Sequence, residues 1–178
     1  MYLQIFSIFR LSVFRTVIRM KTTMHRTRTS SFPVISRVLD HYGIDCKGKN
    51  AVVIGRSLVV GKPAAMMLMA KNATVTMCHT KTVNTAEVCK NADIIVTAAG
   101  VLNSLTADYV REGQIIIDVS MNWNPEKITS KGKGGMSGDA VYEDVEPIVE
   151  AITPVPGGVG AVTTSVLMKH VVEAAEKA

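Results

Sequence analysis

Three short apolar runs constrain this chain more than anything else in it: AVVI (51–54), DIIVTAAG (93–100) and QIIIDVS (114–120). Each is rich in β-branched residues and lacks the polar alternation of a half-exposed strand, which fits strands covered on both faces of a parallel sheet. ATVTMC (73–78) reads as a fourth strand. The segments between them are helical. FPVISRVLDHYG carries an apolar stripe of Val34, Ile35, Val38, Leu39 and Tyr42, stopped by Gly43. GKPAAMMLMAKN (61–72) tolerates Pro63 only in its first turn. NTAEVCKNA (84–92) is a short helix, and TADYVREG (106–113) is another, with Thr106 as its cap. Strands alternating with helices of about ten residues predict βαβ units, hence a doubly wound parallel sheet between two helical layers, α/β/α. Ligands of such sheets bind at the carboxyl ends of the strands. That rim holds Gly55, His79, Gly100 and Met121.

Composition narrows the partners. The net charge of +5 would suggest nucleic acid, but seven of the 20 Lys and Arg residues lie in residues 1–39, which hold no Asp or Glu. The rest of the chain keeps 13 basic against 15 acidic side chains, about −2, so a nucleic-acid-binding face on the folded body has no support. Arg10 interrupts the one early apolar run, leaving too few residues for the roughly 18 of a membrane span. Charges that follow the apolar stretch are also the wrong order for a secretory signal. An organelle transit peptide shares this acid-free, Arg- and Ser/Thr-rich make-up. We read residues 1–31 as a poorly ordered or non-native basic leader, and 32–178 as the folded domain. Cys46, Cys78 and Cys89 are odd in number and lack CxxC spacing, which predicts inert thiols in a reducing, cytoplasmic compartment. The four histidines show no i, i+4 pair, and no metal is expected.

The turn after the first strand, GRSLVVGKP (55–63), carries the chemistry. It is not a Walker A loop, because five residues separate Gly55 from Gly61 and Pro63 stands where a magnesium-binding hydroxyl is needed. Arg56, Ser57 and Leu58 supply no middle glycine for the G-x-G-x-x-G pattern. Its setting is nonetheless strand, glycine-bounded turn, helix, as in a Rossmann-like nucleotide site. A helix N-terminus offers unpaired N–H groups and a partial positive charge to phosphate, and Arg56 and Ser57 add a guanidinium fork and a hydroxyl. A tight turn with a solvated arginine is the alternative. At the end of the second strand, where NAD-preferring domains place Asp or Glu on the ribose, this chain has Cys78-His79-Thr80-Lys81. A cationic, hydroxyl-bearing rim favours NADP over NAD. His79 is read as a satisfied surface residue, and Asp118 and Asp139, near strand ends, as solvated or capping carboxylates. The tail ITPVPGGVGAVTTSVL introduces a C-terminal helix with Val162, Val166, Leu167, Val171 and Val172 on its apolar side. Its glycines let the backbone approach a ligand or strand closely.

VVIGRSLVVGKP, ATVTMCHTKT, ADIIVTAAG, IIIDVSMN and ITPVPGGVGAVTTSVL occur in the order and spacing of the bifunctional methylenetetrahydrofolate dehydrogenase/methenyltetrahydrofolate cyclohydrolase family, which this chain resembles from about Val38 to its C-terminus. The resemblance implies NADP binding by Gly55, Arg56 and Ser57, with Thr80 near the 2′-phosphate and the Met121 backbone by the nicotinamide. It implies that Pro156, Gly157, Gly158, Val159 and Gly160 border the folate cleft. It also implies oxidation of 5,10-methylenetetrahydrofolate to the methenyl form, hydrolysis to 10-formyltetrahydrofolate, a role in purine biosynthesis, and a homodimer paired through this domain. Ala161 stands where the family commonly has proline, and Ser120 where it often has glycine. The family's catalytic lysine, in a Tyr-x-x-x-Lys arrangement, belongs to an N-terminal domain; here Tyr2 has Phe6 at the fourth place. We therefore assign no catalytic residue and expect the isolated chain to bind NADPH but turn over folate negligibly. Two alternatives stay open: a non-catalytic NADP-binding or dimerisation module, and another nicotinamide enzyme such as a shikimate or glutamyl-tRNA dehydrogenase. The PGGVG tail argues against the latter.

Overall fold

A computed structural model describes residues 31–130 and 132–176. The expected leader, residues 1–31, lies outside the described residues except for Ser31, which opens α1. The chain runs α1 (Ser31–His41), β1 (Asn50–Ile54), α2 (Gly61–Ala70), β2 (Thr74–Cys78), α3 (Thr85–Lys90), β3 (Ile94–Thr97), a 3₁₀ turn (Ala107–Tyr109), β4 (Ile115–Asp118), β5 (Asn122–Thr129), β6 (Gly132–Ser137), α4 (Tyr142–Val145), β7 (Ala151–Ile152) and α5 (Val159–Glu176). Five strands form one parallel sheet in the order β2-β1-β3-β4-β7. From β1 the chain winds outward to β2 and then returns to β3 on β1's other side. The strand order therefore reverses between β1 and β3, where open α/β sheets bind their ligands.

Alternation along the strands divides the core. Ala51, Val53, Ile94, Val96 and Ile117 face α1, α2 and α5, packing on Ile35, Leu39, Leu68 and Val166. Val52, Ile95 and Ile116 face the opposite layer, with Cys89, Leu105, Val110 and Val145. Both faces of the central strands β1, β3 and β4 are thus covered, which explains why they read as continuous apolar runs, while the edge strand β2 keeps Thr74 and Thr76 exposed. Among the described residues no helix is long and apolar enough to cross a membrane.

Several local expectations need correction. TADYVREG forms only one 3₁₀ turn, and Thr106 makes no capping bond through its side chain. The chain leaves the turn in extended conformation at Val110 so that Gln114, fully buried, can insert. Gln114 Nε2 donates to the Cys89 and Ala92 carbonyls (2.8 and 2.7 Å), and its Oε1 accepts from the Arg111 amide at 2.7 Å. Tyr42 leaves the stripe of α1 and is 73% exposed, while Val34, Ile35, Val38 and Leu39 are buried. Of the expected apolar stripe on α5 only Val166 is buried outright; Val172 and Leu167 are exposed. The hairpin β5–β6 has no counterpart in the sequence reading. Its ladder is irregular between Asn124 and Ile128, around Pro125, as expected where a proline cannot donate.

Candidate nucleotide-binding site

The crevice is built from glycines outward. Gly55 ends β1 at φ +119°, and a Cβ there would run into the Ala98 carbonyl at the end of β3. Gly61, the first residue of α2, lies against the Gly55 carbonyl in the same way. Strand, helix start and neighbouring strand end therefore touch backbone to backbone, which only glycine permits. On the other side the Gly55 amide donates to Cys78 O at 2.9 Å, fixing the end of β2 beside it.

Ser57 organises the turn in a way its sequence context did not show. Its Oγ accepts from the Val60 and Gly61 amides (3.0 and 3.2 Å), and its carbonyl accepts from the Lys62 amide at 3.0 Å. Pro63 has no N–H, and Ala64 donates to Val60 O at 2.9 Å. The start of α2 therefore has no orphan amide to offer a ligand, contrary to expectation, although its dipole remains. The free donors lie one step earlier. Among the described residues, the amides of Arg56, Ser57, Leu58 and Val59 have no partner within the protein. The Ser57 hydroxyl proton and the exposed Arg56 guanidinium complete the set. These groups suit an anion; Pro63 at the third helical position shapes α2 at no loss of a donor.

At the end of β2 the chain makes a tight turn. His79 N donates to Thr82 Oγ1 at 2.9 Å, Thr82 N returns to His79 O at 2.8 Å, and His79 Nδ1 accepts from Lys81 N at 3.1 Å. His79 is structurally occupied, as expected. Thr80 projects from the turn exposed, and among the described residues its side chain makes no hydrogen bond. Met121 follows β4 on the same rim and is 64% exposed.

The ends of β3 and β4 are tied by two acids expected to be solvated or capping, and it is the capping role that they fill. Both are buried, Asp118 at 2% exposure and Asp139 at 0%. Asp118 Oδ2 accepts from the Ala140 amide at 2.9 Å and Oδ1 from the Ser120 amide at 3.0 Å. A Cβ on Gly138 would overlap the Asp118 carboxyl. Burial pushes Asp118 up to about 6, with Asp139 adding to the rise and the amides of Ala140 and Ser120 opposing it. Asp139 accepts from the loop after β3, from Ser120 and from Asn122. The signal that could have found it is positional: an acid following a Ser-Gly pair, which no rule of local spacing marks.

Pro156 and Gly157 follow β7, with a cis peptide between Val155 and Pro156 and Gly157 at φ +102°. Gly158 lies so close to the Pro154 carbonyl that no side chain fits, and its amide donates there at 2.9 Å. Val159 is buried and opens α5; Gly160 is open to solvent. Lys127 reaches from the hairpin to donate to Met136 O (2.7 Å) and Val155 O (3.1 Å), joining this turn to β5–β6. A cleft of about 380 Å³ lies between them, lined in part by Asp118, Asn124, Lys127, Ser137 and Thr153. All three thiols are buried and free. Burial raises Cys46 and Cys78, and pushes Cys89 up to about 12, so none is a nucleophile at neutral pH. Among the described residues no three His, Cys, Asp or Glu side chains group as a metal site requires.

The structure thus sets Gly55, Arg56 and Ser57 at the strand-order reversal, Thr80 on one side, and Met121 and the Pro156–Gly160 turn on the other. Residues 30–178 match the family model of the tetrahydrofolate dehydrogenase/cyclohydrolase NAD(P)-binding domain. The bifunctional protein FolD of Carboxydothermus hydrogenoformans is 51% identical over 142 residues, which cover 80% of this chain and 48% of that protein. The crystal structure of the Campylobacter jejuni FolD dehydrogenase/cyclohydrolase superposes with a TM-score of 0.74 at 40% identity, covering 83% of this chain and 50% of that one. The Trypanosoma brucei enzyme, solved with NADP and an inhibitor, gives 0.76 at 31% identity over the same shares. The chain spans about half the length of the curated relatives it matches. It belongs to the tetrahydrofolate dehydrogenase/cyclohydrolase family and contains that family's NAD(P)-binding domain.

Proposed function

We propose that this chain holds NADP across the carboxyl rim of its sheet. Residues 32–178 would then be the cofactor half of an enzyme that oxidises 5,10-methylenetetrahydrofolate to methenyltetrahydrofolate and hydrolyses that to 10-formyltetrahydrofolate. The observation that carries the reading is the bare backbone contact of Gly55 with Ala98 and Gly61 at the strand-order reversal, with four free amides and Arg56 at its mouth. That donor set fits a pyrophosphate. Gly55, Arg56 and Ser57 hold it; Thr80, with no carboxylate at the end of β2, leaves room for a 2′-phosphate. Bound NADP supplies a hydride acceptor. The Met121 backbone borders the nicotinamide, and the Pro156–Gly160 turn forms one wall of the folate cleft. The folate-activating acid–base groups belong to the family's other domain. By the same family resemblance the chain would act as a cytoplasmic homodimer paired through this domain and serve purine biosynthesis; sedimentation at increasing protein concentration tests the pairing.

Titration of nicotinamide fluorescence tests the cofactor reading. Arg56→Ala is expected to weaken NADPH about tenfold, the scale of one lost charge-assisted contact. Unchanged affinity would remove Arg56 from the site. Thr80→Asp sets a carboxylate beside the 2′-phosphate, and is expected to weaken NADPH about tenfold while leaving NADH within about twofold. Equal losses for both dinucleotides would show that Thr80 does not face the 2′-phosphate.

A further inference from the structure

We propose that Asp139, with Ser120 as its partner, is the positioning residue for the nicotinamide side of the crevice; this rests on the NADP reading above. One buried carboxylate takes six donors. Oδ2 accepts from Thr97 Oγ1 (2.8 Å), the Ala99 amide (2.7 Å), the Gly100 amide (3.1 Å) and Ser120 Oγ (2.7 Å). Oδ1 accepts from the Val101 amide (2.9 Å) and Asn122 Nδ2 (3.0 Å).

Three successive amides, Ala99 to Val101, point into one concavity, an arrangement that elsewhere binds ligand anions. Here the chain fills it with its own side chain, delivered from some forty residues downstream. The loop after β3 therefore takes its shape from Asp139 rather than from local turn chemistry. Ser120 Oγ adds a second tie, accepting from the Gly100 amide at 3.2 Å while it donates to Asp139. Through it the end of β4, one residue before Met121, is fixed to the end of β3. Asn122 carries the tie into the root of the hairpin, donating also to Gly138 O at 3.1 Å.

None of these bonds reaches the adenosine side. That side is set by the Ser57 turn and by the His79–Thr82 turn, neither of which touches Asp139. In a dinucleotide crevice the two halves lie on opposite sides of the strand-order reversal. Disturbing Asp139 should thus affect one half of the cofactor and spare the other, an asymmetry that a merely stabilising residue would not produce.

The experiment measures NADPH and 2′,5′-ADP, the adenosine half alone, on the folded 178-residue chain well below its melting temperature. Asp139→Asn turns an amide group onto donors that need an acceptor. It is expected to weaken NADPH about tenfold and 2′,5′-ADP by no more than about twofold. Ser120→Ala removes a single arm and is expected to weaken NADPH about threefold, again sparing 2′,5′-ADP. Parallel losses of both ligands, or no loss of either, would overturn the positioning role and leave the cofactor reading intact. Parent protein that binds neither ligand would instead overturn the cofactor reading and this role with it. Should Asp139→Asn not fold, Ser120→Ala decides the question by the same comparison.

Discussion

Gly55→Ala is expected to destabilise the domain by about 4 kcal/mol and to remove measurable NADPH binding. Two effects add. A non-glycine residue held at φ +119° is strained by about 1–3 kcal/mol. The new methyl would also press on the Ala98 carbonyl carbon at 2.7 Å and the Ala99 amide at 3.2 Å, and overpacking of this kind costs about 1–3 kcal/mol. Neither neighbour is a flexible side chain, so relief must come from parting β1 and β3 at the place where the cofactor's phosphates would sit. For a domain of this size the melting temperature should fall by roughly 12 °C. Two controls separate the causes. Gly43, at φ +65°, has nothing within 4 Å of a Cβ, so Gly43→Ala carries strain alone, about 1–2 kcal/mol. Gly61→Ala carries the contact without a left-handed backbone. If Gly55→Ala melts no lower than Gly43→Ala, the close approach of β1 to β3 is not a constraint on the fold.

The parallel sheet was legible because burial on both faces leaves a mark in every residue of a strand. AVVI, IIV (94–96) and III (115–117) have no polar position to confuse the reading, and the polar residues Thr97 and Asp118 come only at the strand ends. The turn at Gly55 was legible because its strand–glycine–helix context restricts backbone geometry. What Ser57 does there was not. A serine two residues past a glycine suits a phosphate as well as it suits the Val60 and Gly61 amides, and only the fold shows that its oxygen is already engaged.

The hairpin was hidden for a different reason. NWNPEKIT and GKGGMS alternate no apolar face, and the hairpin is tied to the body at its root by Asn122 and further along by Lys127. Trp123 lies over Gly134, where any Cβ would meet the indole ring at 2.6 Å. Such long-range ties leave no periodicity. Asp139 belongs to the same class: six donors drawn from two separate segments, 97–101 and 120–122, converge on it, and sequence distance conceals every one of these nonlocal bonds. Composition did better with the thiols, since three unpatterned cysteines in an apolar chain are most simply core residues.

Asp118 supplies the second large effect, a dependence of stability on pH. Its carboxyl lies at 2% exposure beside Asp139, and the cleft it lines also presents Glu126, Lys127, Tyr142 and Glu143. Lys127 is committed to the Met136 and Val155 carbonyls, so its cation is held by the hairpin and the turn after β7. Burial raises the folded-state value from 3.8 to about 6. The folded protein then binds this proton more tightly than the unfolded chain does. Stability from this residue is complete below about pH 4 and declines as pH rises through about 6. At about 1.4 kcal/mol per tenfold change, the loss amounts to about 3 kcal/mol by pH 7. Other carboxylates have their own pH dependence, so the contribution is isolated by difference. Urea midpoints of the parent and Asp118→Asn are compared at pH 4, 5, 6 and 7. The parent should lose about 2.4 kcal/mol relative to the variant across that range, most of it between pH 4 and 6.5. Whatever fixed penalty the variant carries, from setting an amide group against the Ala140 or Ser120 N–H, shifts its curve without tilting it. A difference that stays constant with pH would mean that Asp118 is ionised in the folded domain as readily as in the unfolded chain.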